Sequence, residues 1–72
     1  MKQITIPVDT ITLGQLLKKL DILVTGGQAK YFLAENRVWV NGVQEERRGR
    51  KLYPQDRVEI EGYGQVSLVH RD

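Results

Sequence analysis

The stretch Asn36–Leu52 reads NRVWVNGVQEERRGRKL, and its first seven residues decide the fold. Val38 and Val40 alternate with Arg37 and Trp39, the period of a strand with one buried face. Asn41-Gly42 then supplies two residues that tolerate the positive φ angles of a type I′ turn, so a β-hairpin is expected here. Directly beyond it stand Arg47, Arg48, Arg50 and Lys51, four cations in five residues beside the chain's single tryptophan. Glu45 and Glu46, between hairpin and cations, read as a solvated hairpin end.

Upstream, the period is helical. TLGQLLKKL sets Leu13, Leu16, Leu17 and Leu20 on one face and Gln15, Lys18 and Lys19 on the other, with Thr12 and Gln15 spaced as a capping box. The same spacing recurs in Thr25 and Gln28, which predicts a second helix from about Gly26 to Glu35. Its core face is Ala29, Phe32 and Leu33, with Lys30, Tyr31 and Ala34 turned elsewhere, and Asn36 is expected as a left-handed C-cap. QITIPV at the start alternates as a strand that Pro7 confines to an edge or an end. Downstream, YPQD predicts a turn, RVEIE a strand with Val58 and Ile60 inward, GYG a bend, and QVSLVH a last strand. Two short helices inserted after one strand and followed by a small sheet make an α+β domain, mixed but mostly antiparallel.

With 72 residues the chain has room for one domain and one modest core. Cysteine is absent, which removes disulfides and thiolate metal ligands and fits a reducing cytoplasm. No apolar run reaches the roughly 20 residues of a membrane span, and the first residues lack a signal-peptide pattern. A cytoplasmic protein with no membrane partner is the expectation. The net charge of +2 is unevenly distributed. Residues 12–53 carry eight Lys/Arg against four Asp/Glu, whereas residues 54–72 carry two against four. Such segregation builds a basic face without a basic total.

Catalysis finds no support. The single histidine, His70, and the single serine, Ser67, cannot be assembled with an orienting third group, and His70 reads as a strand-end surface residue. Metal-ligand spacings are absent, and neither a cofactor nor a small-molecule substrate is expected.

Three features suit a polyanion. TGGQAK would open the second helix with Gly26, Gly27 and Gln28, whose N–H groups could cradle a phosphate, with Lys30 one turn further on. The same glycines also suit a flexible interhelical loop. RRGRK concentrates charge that a phosphate backbone would relieve, and a basic helix face of Lys18, Lys19 and Lys30, with Arg37, adds to it. Trp39 either covers a second small core or stacks on a base, and Tyr31, on the exposed side of its helix, is the better stacking candidate.

These pieces, in this order, resemble the S-four RNA-binding domain, also called the alpha-L RNA-binding motif. The resemblance is carried by LGQLLKKLDI, TGGQAKYFLAENRVWVNG and RRGRKLYPQDRVEI, from about Thr12 to Ile60. The family's Ala-Arg/Lys pair is Ala29-Lys30, its Val-x-Val-Asn-Gly hairpin is Val38–Gly42, and its Pro-Gly-Asp turn is Pro54-Gln55-Asp56. Thr25-Gly26-Gly27 stands where many members have Ser-Arg-Ser, and Asn36 and Gln55 replace two family glycines. GGQAK and RRGRKL are similar to a small stand-alone bacterial branch, the YbcJ/YaaA-type proteins. The resemblance implies one domain over residues 1–72 that binds structured RNA, above all ribosomal RNA, through the two-helix face. The ribosome or an assembly intermediate is the implied partner, in ribosome assembly or translation. Phosphate contacts are expected from Lys18, Lys30, Arg37, Arg47, Arg48, Arg50 and Lys51. Gly26, Gly27 and Gln28 would form the helix-start cradle, and Tyr31 would stack. The alternative from another class is an adaptor whose basic face meets an acidic protein.

Overall fold

The computed structural model describes residues 2–6, 9–25 and 27–70. The elements run β1 (Lys2–Ile6), β2 (Ile11–Thr12), α1 (Leu13–Lys19), α2 (Gln28–Glu35), β3 (Val38–Val40), β4 (Val43–Gln44), β5 (Lys51–Leu52), β6 (Arg57–Ile60) and β7 (Gly64–His70). Five strands form one sheet in the order β1-β7-β6-β3-β4, with β1 parallel to β7 and the other pairs antiparallel. β2 and β5 make a separate two-stranded ribbon, which the sequence pattern did not announce. The α+β class and the mostly antiparallel sheet are as expected, and β1 takes an edge. Pro7 lies outside the described residues.

One core holds these elements together. Ile6, Val38, Val40, Val58, Ile60, Val66 and Leu68 all point to one side of the sheet and are buried there. Leu13, Leu16 and Leu17 of α1 and Ala29 and Leu33 of α2 complete the same cluster, with Phe32 packed against it. Both helices therefore cover one face. The alternate residues Gln3, Thr5, Arg57, Glu59 and Gln65 stand exposed on the other. No helix among the described residues is long and apolar enough to cross a membrane.

Two turns lock the hairpin. Asn41 and Gly42 take φ of 52° and 85°, the type I′ geometry. Pro54 and Gln55 form the next reversal, where Gln55 adopts φ 77°, the left-handed region that glycine enters most easily. Asp56 ties the two together, since its Oδ1 accepts from Asn41 Nδ2 at 3.1 Å and its Oδ2 from Tyr53 N at 2.8 Å.

Helix ends differ from expectation in two places. At α1 the capping box is complete: Thr12 Oγ1 accepts from Gln15 N, and Gln15 Oε1 accepts from Thr12 N. At α2 only its glutamine half forms. Gln28 Oε1 accepts from the N–H groups of Val24 and Thr25, while Gln28 N donates to the Thr25 carbonyl instead of its hydroxyl. The helix starts at Gln28, and Gly27 is an N-cap without a side chain to offer. Asn36 is not left-handed. It is extended (φ −127°, ψ 143°), and both its N–H and its Nδ2 donate to Phe32 O, which ends the helix and lets the chain run straight into β3.

Candidate nucleic-acid interface

The cationic run is built onto the start of α1. A helix leaves its first N–H groups without intrahelical partners. Here Leu13 N donates to Arg50 O and Gly14 N to Arg48 O, both at 2.9 Å, while Gln15 N is held by Thr12. Residues 47–50 are thus a docked segment whose carbonyls complete the helix. Gly14 sits at this junction: a Cβ there would lie 3.4 Å from Arg48 O and 3.6 Å from Ala29 Cβ. Docking continues into β5, where Lys51 pairs with Thr12.

The result is an open groove of about 310 Å³ lined by Thr12, Gly14, Gln15, Lys18, Arg48 and Gly49. Lys18 and Arg48, far apart in sequence, share it. Ala29 approaches Gly14 from α2, and the two residues after it, Lys30 and Tyr31, are exposed, Tyr31 at 71%. Around Gly27 the backbone is open, with no atom closer than Thr25 Oγ1 at 4.0 Å to a Cβ built there. Gln28 spends its N–H and its Oε1 on the turn before α2. Gly26 lies outside the described residues. Arg37 is exposed beside β3, where its carbonyl accepts from Glu61 N, and it is not among the residues that line the groove.

Glu45 is not the solvated hairpin end expected of it. It is the one charged side chain counted as buried among the described residues, at 8% exposure. Its carboxylate meets Arg47 Nε at 3.0 Å and Arg50 Nη1 at 2.9 Å. Two of the run's four cations are therefore matched by Glu45 within the protein, and Arg48 and Lys51 are not among its partners. The bonded Arg47 guanidinium holds the Glu45 carboxyl down to about 2, against burial's upward push, with Arg47 N–H and Arg50 adding to the effect. The same partnership raises Arg47. Because the folded value lies below the ordinary 4.5, this stabilisation is fully present above about pH 4.5 and is lost as pH falls through about 2. Glu45→Gln should therefore cost about 2 kcal/mol at neutral pH and flatten the stability curve in that acid window. Urea melts at stepped pH check it; a variant curve parallel to the wild type's there would refute the assignment.

Trp39 is half-buried on the face away from the helices, in a shallow concavity with Asn41, Arg57, Glu59 and Gln65. It lies outside the main core cluster. His70 sits at the end of β7 as expected, 3.2 Å from Asp9. Among the described residues no group of His, Cys, Asp and Glu could hold a metal ion. Sequence reasoning missed Gly14 and the groove role of Thr12 and Gln15.

Comparison with known proteins agrees with this architecture. A family model described as S4 domain matches residues 4–69, beyond both ends of the stretch from Thr12 to Ile60. The probable ribosome maturation protein RlbA of Bacillus subtilis (strain 168) is 52% identical over 67 residues, covering 93% of this chain and 94% of that protein. A match over nearly the whole chain, on two helices packed against a mixed sheet with the hairpin and turn in place, makes this chain a member of the S4 domain family.

Proposed function

We propose that this chain is a single RNA-binding domain that acts in ribosome maturation by holding structured ribosomal RNA against the surface where α1, α2 and residues 47–51 meet. The observation that carries the reading is the groove in which Lys18 and Arg48 converge over a glycine-lined backbone. A phosphate entering it meets two cations, and Lys51 stands one strand position away, opposite Thr12. On α2, exposed Lys30 offers a further cation, Gly27 leaves the helix start open to a backbone, and exposed Tyr31 offers a ring for an unpaired base. Arg47 and Arg50 contribute less directly because Glu45 already engages them. The name of the 52% identical relative supports the ribosomal setting, and family membership supports RNA as the ligand.

The experiment is crosslinking in cells, followed by sequencing of the RNA bound to the purified protein. Ribosomal RNA fragments are expected, with an absorbance ratio at 260/280 nm that RNase treatment lowers. Recovery of one stoichiometric acidic protein after RNase, with no enriched RNA, would replace this reading with the adaptor.

A further inference from the structure

We propose that Glu45 is the positioning residue of the RNA-binding loop, a buried carboxylate that gathers residues 46–50 and thereby aims Arg48 into the groove. The inference rests on the RNA-binding reading of that groove. Glu45 Oε2 accepts from Glu46 N at 3.1 Å, Arg47 N at 3.0 Å and Arg47 Nε at 3.0 Å. Its Oε1 accepts from Arg47 Nη2 at 3.2 Å and Arg50 Nη1 at 2.9 Å. All five donors come from residues 46–50, so the carboxylate occupies the loop as a bound anion would. A buried charge persists only where such donors compensate its lost hydration, and here they are supplied entirely by the segment it organises.

The consequence falls on Arg48, which Glu45 does not touch. Its neighbours Arg47 and Arg50 are pinned by Glu45, and Arg50 N closes the turn on Arg47 O at 3.2 Å. The Arg48 and Arg50 carbonyls are pinned on α1 at 2.9 Å. Arg48, which lines the groove, thus sits between fixed points on both sides and takes no part in the Glu45 network itself. Glu45 itself is anchored by the hairpin, through Glu45 N donating to Val38 O at 2.8 Å. A rigid sheet edge fixes the acid, the acid fixes the loop, and the loop presents the cation. Presentation without entropy loss on binding is what preorganisation contributes.

Electrostatics alone makes the opposite prediction. Removing a negative charge beside four cations would raise RNA affinity, and freeing Arg47 and Arg50 would steepen the salt slope by about 1.4 to 1.8. Glu45→Gln is expected instead to lower affinity about tenfold, the scale of one lost specific contact. The Leu13 and Gly14 amides should also lose protection from hydrogen exchange. Binding is measured with a ribosomal RNA fragment recovered by crosslinking, at a temperature where the variant is folded. Tighter or unchanged binding by Glu45→Gln overturns the proposal, even if amide protection is lost. A second pair decides the matter if Glu45→Gln does not fold. Arg47→Gln and Arg48→Gln each remove one cation from the run. Arg48→Gln should flatten the salt slope by about 0.7 with both amides protected, whereas Arg47→Gln should expose them. Indistinguishable behaviour of the two overturns the proposal. If the wild type binds no RNA, the functional reading fails by itself, and the amide exchange of Glu45→Gln still reports whether the carboxylate organises the loop.

Discussion

Gly14→Val should destabilise the chain by about 2 to 3 kcal/mol, a fall in melting temperature of roughly 10 to 20 °C for a domain this small. Gly14 is buried where α1, α2 and residues 47–50 converge. A Cβ alone would stand 3.4 Å from Arg48 O and 3.6 Å from Ala29 Cβ, which is ordinary contact. Gly14→Ala should accordingly be near neutral, since any tightness is offset by the up to about 1 kcal/mol that alanine gains over glycine in a helix. Valine's two further methyls have no such space. They must displace either the Arg48 carbonyl or α2, and the Arg48 carbonyl is the partner of Gly14's own N–H. The loop should therefore leave α1, and RNA binding should weaken more in Gly14→Val than in Gly14→Ala. Thermal melts and RNA titrations on both variants check this. Equal stability of the alanine and valine variants would show that the helix and loop are not in contact as described.

Much of this architecture was legible because it depends on local pattern. The alternation of Val38 and Val40, the Asn41-Gly42 turn, the Thr12–Gln15 capping box and the leucine face of α1 each follow from residues within a few positions of one another. What escaped depends on pairing between distant segments. The ribbon of β2 with β5, and the docking of Arg48 and Arg50 on α1, join residues 34 to 41 positions apart and leave no periodic trace. Asn36 was misjudged because two conformations can end a helix; its amide side chain reached back to Phe32 and removed the need for a left-handed residue.

Glu45 is the instructive error, because a signal did exist. A two-residue turn at Asn41-Gly42 fixes the register Val40↔Val43 and Trp39↔Gln44, which sets Glu45 opposite inward-facing Val38. Counting along the hairpin would have placed an acid on the core side. Its need for compensation would then have pointed to the arginines two and five residues on. Read by composition alone, the acid looked like surface and the arginines like free charge. The structure divides the run into two cations engaged with Glu45, Arg47 and Arg50, and two others, Arg48 and Lys51.

That division decides how the charge of the interface is best tested. Neutralising the whole run would also strand a buried carboxylate, so lost binding could reflect a collapsed loop. Lys18→Gln, Arg48→Gln and Lys51→Gln combined avoid this, because none of the three side chains takes part in the Glu45 network that holds the segment. Lys18 and Arg48 line one groove, and Lys51 is paired in register with Thr12 of the same groove. Each phosphate neutralised contributes about 0.7 to 0.9 to the log–log salt slope, so the triple variant should flatten that slope by roughly 2 to 3. Between 50 and 200 mM salt, the variant's affinity should then fall roughly 20- to 40-fold less than the wild type's. Arg57→Gln is the control: it removes a cation from the face of the sheet that carries no helices, beside Trp39, and should leave the slope unchanged. Melting temperatures of all variants should stay within a few degrees of the wild type, which separates lost contacts from lost structure. A flattened slope in Arg57→Gln with none in the triple variant would move the RNA to the opposite face of the sheet. An unchanged slope in both would remove electrostatic contact at either face.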